Sequence, residues 1–190
     1  MDYNSILGVV LAGGQSKRFG QDKSQVQLES KILIDYILLE DIKFFNSKKI
    51  NKIEDYKKNL GPLGGVLSAM KWIKENNKKY KWISTFPSDT PFFKKKHLHD
   101  FLNNINEEQS KLFFIKSNDK RHNIFGLWSL ELLNRLEDDL VNKGERKVED
   151  WANKVGVKTI NLEFKNNDPF FNINTKEDLE KAKEIIKSND

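Results

Sequence analysis

The sequence contains no cysteine among its 190 residues. This absence excludes a disulfide scaffold, a cysteine-ligated zinc finger, an iron–sulfur cluster and a catalytic thiol. Long hydrophobic runs are also missing, and none approaches the roughly 18 residues that a membrane span needs. The first residues have neither the basic region nor the apolar stretch of a signal peptide. We therefore expect a cytoplasmic protein with no membrane partner.

Arginine is scarce as well, which bears on the meaning of the net charge of +5. Only four of the 33 basic residues are arginines, and the many lysines are interleaved with glutamate and asparagine. Such a distribution is typical of a solvated surface. The net charge is therefore the only argument for nonspecific binding of nucleic acid, and we expect no nucleic-acid partner.

Short apolar runs alternate with stretches of helical period along the chain. The run from Ile6 to Leu11 is rich in β-branched residues and leads into Ala12-Gly13-Gly14, as a buried strand entering a glycine turn would. Further strands are predicted at residues 42–45, 82–86, 112–115, 125–128 and 157–162. The alternation predicts an α/β fold with a Rossmann-like, mainly parallel sheet flanked by helices on both faces. No linker divides the chain, so we predict a single domain over residues 1–190.

Three helices are predicted from apolar spacing and from their caps. One begins at Gly61-Pro62, because Pro62 suits a first turn and apolar residues recur behind it at three- and four-residue steps. A second follows Ser129 as N-cap, with leucines along one face. The third follows Thr175, where residues 175–178 have the form of a capping box.

The segment between Leu11 and Lys23 reads LAGGQSKRFGQDK and carries the strongest chemical signal. Its paired glycines allow backbone N–H groups to approach an anion closely, and its lysines and arginine add positive charge. This pattern indicates phosphate or nucleotide binding, with a flexible basic turn as the alternative. The spacing fits neither a Walker A loop nor a dinucleotide-binding fingerprint.

The same segment resembles the signature of nucleotidyltransferases with the sugar-nucleotide-pyrophosphorylase fold, in the form carried by the molybdenum cofactor guanylyltransferases (MobA). Three later segments agree in order and approximate position: residues 61–65 (GPLGG), 87–92 (PSDTPF) and 172–175 (NINT). The resemblance implies the nucleotide-diphospho-sugar transferase type of fold. It also implies transfer of GMP from GTP to Mo-molybdopterin, with release of pyrophosphate and formation of molybdopterin guanine dinucleotide. Mg²⁺ is the implied cofactor, and molybdoenzyme maturation proteins are implied partners.

The resemblance also implies which residues carry the reaction. Asp89, just past a predicted strand, matches the aspartate that holds Mg²⁺ on the nucleotide phosphates; from its own surroundings it could equally be a turn residue before Pro91. The resemblance implies that Lys23 neutralises charge on the phosphates and that Arg18 is a second catalytic cation; from its own surroundings Arg18 could equally be a solvated basic residue on an open loop. The residues implied to cradle the nucleotide are Leu11, Ala12, Gly13 and Gly14.

Asn46 and Asp55 resemble the family's guanosine-contacting asparagine and aspartate. A carboxylate can accept both the N1–H and the N2–H of guanine, which is a physical way to choose guanine over adenine. Here the sequence departs from the family, because only eight residues separate Asn46 from Asp55 and a helix plus a strand normally intervene. We therefore expect a truncated crossover at this point.

On the acceptor side, the resemblance implies a further set of residues: Arg146, Asn172, Asn174 and His122. Arg146 precedes a predicted helix, and a helix N-terminus with an arginine suits an anionic pterin phosphate. His122 has an alternative role as a packed residue, and the two asparagines could instead form the turn before Thr175.

Two other functions remain open at this stage. The first is a related nucleotidyltransferase that uses CTP or another phosphorylated acceptor, which base preference would separate. The second is a nucleotide-binding delivery protein without turnover. Retention of both Lys23 and Asp89 argues against the second.

Overall fold

The computed structural model describes residues 1–12, 25–45, 50–164 and 168–189. The strands are β1 Ile6–Leu11, β2 Gln27–Leu28, β3 Lys31–Ile32, β4 Trp82–Pro87, β5 Leu112–Ser117, β6 Lys120–Ser129 and β7 Lys158–Asn161. The α-helices are α1 Leu33–Phe45, α2 Pro62–Glu75, α3 Lys95–Asn103, α4 Leu133–Val141, α5 Val148–Val155 and α6 Lys176–Asn189. Across these ranges, no helix combines the length and the apolar character that crossing a bilayer demands.

Five strands form the central sheet in the order β1-β4-β6-β5-β7, while β2 and β3 pair as a separate hairpin. β1 is parallel to β4, and β5 is parallel to β7. β6 lies antiparallel between β4 and β5, so four strands share one direction and β6 opposes them. The predicted α/β fold with a mainly parallel sheet is confirmed.

Two hydrophobic clusters cover the two faces of this sheet. On one face α2, α4 and α5 pack against it, and Trp128 of β6 stacks on Trp151 of α5 with ring centroids 5.9 Å apart. On the other face α1 and α3 cover a cluster rich in phenylalanine, including Phe93 and Phe125. A smaller cluster joins the β2–β3 hairpin to α6. Helices therefore lie on both faces, as predicted.

Most predicted strands correspond to observed ones, but the strand predicted at residues 42–45 is wrong. These residues form the last turn of α1. Leu33 and Ile37 are buried one helical turn apart, so the apolar run continues a helix that has already begun. A short apolar run has no period of its own, and the preceding residues decide its conformation.

The three predicted helix starts are confirmed. Gly61 is the N-cap of α2, with Pro62 in its first turn. The Oγ of Ser129 accepts from Glu131 N at 3.3 Å and caps a 3₁₀ turn that leads into α4. Before α6, Thr175 Oγ1 accepts from Asp178 N at 3.1 Å, and the Asp178 carboxylate accepts from Thr175 N at 3.0 Å.

The segment between α1 and α2 is short, as expected from the sequence. Residues 50–60 form no strand, although the structure describes all of them. Within the described part of the chain, β1 is therefore the edge of the sheet, and its residues beyond Ile6 are only half-buried. The truncated crossover leaves Asp55 on an irregular segment rather than at a strand end.

Asp41 on α1 is half-buried, and its carboxylate packs against the sheet, where the buried Oδ1 has no hydrogen-bond partner among the described residues. The carboxylate fills the space that a Cβ on Gly8 would occupy, and it borders a small cavity with Phe86, Phe93 and Lys95. Burial raises the pKa of this carboxyl to about 7. Folding therefore favours the protonated acid.

Asp41→Asn is expected to raise the melting temperature by roughly 4 °C at pH 8 and by much less at pH 4.5. The ordinary pKa of the carboxyl is 3.8. The stabilisation that the protonated Asp41 carboxyl gives to the folded state is therefore complete below that pH, and it is lost as the pH rises through about 7. Asparagine does not titrate and removes this dependence. Calorimetry at both pH values is the measurement, with Asp100→Asn on the exposed side of α3 as control. An equal shift at both pH values would contradict the assignment.

Candidate active site

The carboxyl ends of β1 and β4 lie side by side. Leu11 pairs with Pro87 in the parallel register, so Ala12 and the turn that carries Asp89 leave the sheet at the same edge. Asp89 is half-buried two residues beyond β4. Ligands of open α/β sheets bind at this edge, outside the carboxyl ends of the strands. The structure thus brings two of the predicted site positions together.

The segment that carries Asn172 and Asn174 reaches the same place. Ile173 N donates a 2.9 Å hydrogen bond to the backbone oxygen of Asp89. The Ile173 side chain is fully buried in the cluster formed by the hairpin and α6, whereas Asn172 is exposed and Asn174 half-buried. This burial pattern agrees with the predicted alternation, which directs both amide side chains away from Ile173.

The N-terminus of α2 also approaches the end of β1. A Cβ on Gly65 would stand 2.9 Å from Leu11 Cδ2, so the Leu11 side chain would have to shift if any other residue stood there. Gly61 adopts φ +64°, a left-handed conformation that favours glycine. A Cβ added at Gly61 would lie 4.0 Å from the backbone oxygen of Arg146. The first turn of α2 therefore lies between β1 and the loop that carries Arg146.

The exposed Arg146 side chain uses Nη1 to hold its own loop. It donates to Leu140 O at 2.7 Å and to Glu145 O at 2.6 Å. Leu140 is in the last turn of α4, where backbone oxygens lack partners within the helix. The guanidinium is thereby fixed at the end of α4, close to the first turn of α2. Its contact with an acceptor stays a prediction.

Asp55 is exposed beside α2. The next residue, Tyr56, donates its backbone N–H to Ser68 Oγ on α2 at 2.8 Å. Ser68 lies one turn after Gly64, so the segment with Asp55 runs alongside the first turns of the helix. This places Asp55 near residues 61–65, one of the segments that carry the family resemblance.

His122 is packed inside the protein and only 8% exposed. Its ring stacks on Phe170 with centroids 4.1 Å apart, and its Nε2 lies 2.8 Å from Ser117 Oγ. Burial lowers the pKa of His122 to about 4, against a smaller opposing effect of Asp168. The ring is therefore neutral at pH 7 and supplies no positive charge to a phosphate. These contacts favour the packing role over the predicted acceptor contact.

Several predicted site residues lie outside the described part of the chain: Gly13, Gly14, Arg18, Lys23 and Asn46. Ala12 is the last described residue before them, and it is exposed at the end of β1. The roles predicted for these five residues stay predictions.

Asp89 has the chemistry of a ligand for a hard cation. Mg²⁺ prefers oxygen ligands and is commonly bound by one or two carboxylates together with waters and substrate phosphates. The described residues contain no group of three or more histidine, cysteine or acidic side chains that could hold a metal by themselves. Asp89 therefore fits a metal ion that arrives with phosphate oxygens, rather than one held in an all-protein cage.

Sequence reasoning missed two residues that support this site. Ser68 lies within the apolar stripe of α2, and a serine four residues after Gly64 was a readable signal, because serine can bond back to the oxygen at i−4. Asp139 lies within the leucine stripe of α4 and is 1% exposed. An acidic residue at a core-facing position of a helix indicates a buried polar network.

Known proteins resemble this chain over nearly its whole length. A family model described as the MobA-like NTP transferase domain matches residues 8–40 and 39–155. A molybdenum cofactor guanylyltransferase from Mesorhizobium japonicum is 30% identical over 96% of this chain and 97% of its own. One from Rhizobium leguminosarum bv. trifolii is 30% identical over 97% of this chain and 95% of its own.

The fold agrees with these sequence matches. The crystal structure of molybdopterin-guanine dinucleotide biosynthesis protein A from Archaeoglobus fulgidus superposes with a TM-score of 0.76 at 21% identity, covering 96% of this chain and 99% of that one. The four motifs recognised in the sequence and the common edge of β1 and β4 are consistent with that likeness. The chain therefore belongs to the MobA-like NTP transferase family, and it is a nucleotidyltransferase of the molybdenum cofactor guanylyltransferase type.

Proposed function

We propose that this enzyme transfers GMP from GTP to Mo-molybdopterin, forming molybdopterin guanine dinucleotide and releasing pyrophosphate. The observation that carries the proposal is the hydrogen bond from Ile173 N to Asp89 O. It joins the segment with Asn172 and Asn174 to the aspartate at the common end of β1 and β4. The names of the relatives, molybdenum cofactor guanylyltransferases, support transfer of a guanylyl group in the synthesis of this cofactor.

The proposed reaction is an in-line displacement at the α-phosphorus of GTP. A terminal phosphate oxygen of the acceptor forms the new P–O bond, while the bond to the β-phosphate bridging oxygen breaks and pyrophosphate leaves with that electron pair. The phosphate nucleophile is already anionic at neutral pH, so no general base is required. The absence of a need for a general base agrees with the position of His122, which is buried and stacked on Phe170. Positioning and charge neutralisation then dominate the catalysis.

In this proposal Asp89 would hold Mg²⁺, and the ion would supply positive charge that stabilises the departing pyrophosphate. Leu11 and Ala12, with the predicted Gly13 and Gly14, direct backbone groups toward the same phosphates. Lys23 and Arg18 complete the predicted neutralisation of charge.

The two substrates are proposed to meet at the edge of the sheet where β1 and β4 end. Asp55, with the predicted Asn46, binds the guanine base beside the first turns of α2. Arg146, Asn172 and Asn174 bind the acceptor, and the buried ring of His122 stacks on Phe170, two residues before Asn172. We propose that the reaction takes place in the cytoplasm and that molybdoenzyme maturation proteins receive the product.

GTP with Mg²⁺ is expected to stabilise the protein more than CTP or ATP does. Asp55 can accept two hydrogen bonds from guanine, and neither of the other bases presents that pair of donors. A thermal-shift series with the three nucleotides, each with Mg²⁺ and with EDTA, measures the difference. Formation of the dinucleotide from GTP and Mo-molybdopterin then tests turnover. Equal stabilisation by GTP and CTP would remove the guanylyl assignment, and binding without turnover would favour a delivery protein.

A further inference from the structure

Residues 54–57, which carry Asp55, have no helix or strand of their own and are held by α2. Tyr56 N donates to Ser68 Oγ at 2.8 Å, and the same hydroxyl donates to Gly64 O at 2.8 Å. Ser68 is 6% exposed. Its single proton and one of its lone pairs are therefore both used, which fixes the hydroxyl direction. The backbone of the residue after Asp55 is anchored at a defined point on the helix.

A second contact holds the Tyr56 side chain. Lys71 Nζ lies 4.1 Å from the centroid of the Tyr56 ring, within the range of a cation–π interaction. The same ammonium lies 2.7 Å from Glu137 Oε1 on α4. The hydrogen bond with Glu137 raises the pKa of Lys71, so the side chain stays charged. Tyr56 is 53% exposed, and this cation holds a ring that little else covers.

The two contacts lie on one face of α2. Gly64, Ser68 and Lys71 are spaced by four and three residues, which places them in a row along the helix. Gly64 is in the first turn, next to Gly65, which approaches Leu11 at the end of β1. The row therefore links the first turn of α2 to residues 54–57 and, through Glu137, to α4.

We propose that Ser68 and Lys71 are positioning residues that fix the Asp55 carboxylate for guanine and thereby determine the preference for GTP over other nucleotides. The inference rests on the proposed function, in which Asp55 reads the base. A carboxylate accepts the N1–H and N2–H of guanine together only when its direction is fixed. Because Asp55 is exposed and lies on an irregular segment, its direction depends on the anchoring of Tyr56.

Ser68→Ala is the direct test, with dissociation constants for GTP, ITP and CTP measured by calorimetry in Mg²⁺. The expected result is a loss of GTP affinity of about three- to tenfold, the size of one hydrogen bond. ITP lacks the 2-amino group and should lose less, while CTP binding should not change. Lys71→Met is expected to have the same effect, and Lys71→Arg to restore the preference because arginine keeps both the cation–π contact and the ion pair.

Two variants on α6 provide matched controls. Ser188→Ala removes a hydroxyl that donates to Ile185 O at 2.9 Å, and Lys183→Met removes a lysine paired with Glu180 at 2.8 Å. Neither should change any nucleotide affinity. An equal loss for GTP and CTP in Ser68→Ala, or no loss for either, overturns the inference. A wild-type protein that binds GTP and CTP equally overturns the proposed base recognition as well, so the two failures are distinguishable.

Discussion

Asp89→Asn is expected to reduce guanylyl transfer by about 10²–10³-fold while the protein stays folded, the usual cost of removing one preorganised charge stabiliser. The substitution keeps the size of the side chain but removes the negative charge that a metal ion requires. The backbone oxygen that accepts from Ile173 N is unchanged, so the segment with Asn172 and Asn174 stays in place. Turnover at saturating Mg²⁺, together with a melting curve, measures both parts of the expectation.

The control for this variant is Asp168→Asn. Asp168 is exposed in the turn before Phe170, and its carboxylate accepts from Phe170 N at 2.9 Å. Like Asp89, Asp168 is an aspartate in a turn close to the segment with Asn172 and Asn174. Loss of the Asp168 carboxylate should leave turnover near that of the wild type. If Asp89→Asn also turned over normally at high Mg²⁺, Asp89 would be a turn residue before Pro91 and the metal assignment would be wrong.

The sheet and the order of its motifs were predictable because their signals are local. β1 and β4 are short segments rich in apolar and β-branched residues that end in turn residues, and Pro62 and Thr175 mark helix starts by their own chemistry. The antiparallel direction of β6 was not predictable. It follows from the two-residue turn Asn118-Asp119, where both residues adopt positive φ and reverse the chain between β5 and β6.

The supporting contacts of the site were not predictable, because they join residues that are distant in sequence and leave no periodic signal. The bond from Tyr56 N to Ser68 Oγ spans 12 residues, and that from Trp151 Nε1 to Asp139 also spans 12. A serine or an aspartate within an apolar stripe indicates that a polar partner is needed, but the fold decides which partner it is. The sequence therefore identified the residues proposed to contact substrate, and the structure identified those that hold them.

Asp139→Ala is expected to lower the free energy of unfolding by about 3 kcal/mol, through the breaking of a buried ion-pair network. The Asp139 carboxylate accepts from Trp151 Nε1 at 3.0 Å, from Lys143 Nζ at 2.9 Å and from Lys154 Nζ at 3.4 Å. Burial alone would raise the pKa of this carboxyl, but these three hydrogen bonds hold it below its usual value. Without the carboxylate, the indole N–H of the fully buried Trp151 has lost its partner.

The loss should lie at the lower end of the range for buried ion pairs, because both lysines are about half-exposed and can return to water. Urea denaturation of three variants separates the contributions. Asp139→Asn keeps an acceptor for the indole and should cost less than Asp139→Ala. Asp138→Ala removes an exposed partner of Lys143 and should change stability little. Equal losses for the alanine variants at residues 138 and 139 would show that burial of the carboxylate contributes nothing.

The same network bears on the proposed acceptor site. Asp139 O accepts from Glu145 N at 3.0 Å, and Lys154 pairs with Glu145 at 3.1 Å, so helices α4 and α5 both hold the residue that precedes Arg146. In Asp139→Asn the backbone bond to Glu145 N is kept, but Lys154 loses its second anion and is held less firmly against Glu145, while residues 54–57 and Asp89 are untouched. We therefore expect this folded variant to show a raised KM for the acceptor with GTP affinity unchanged. A parallel loss of GTP affinity would place the loop in the nucleotide site instead.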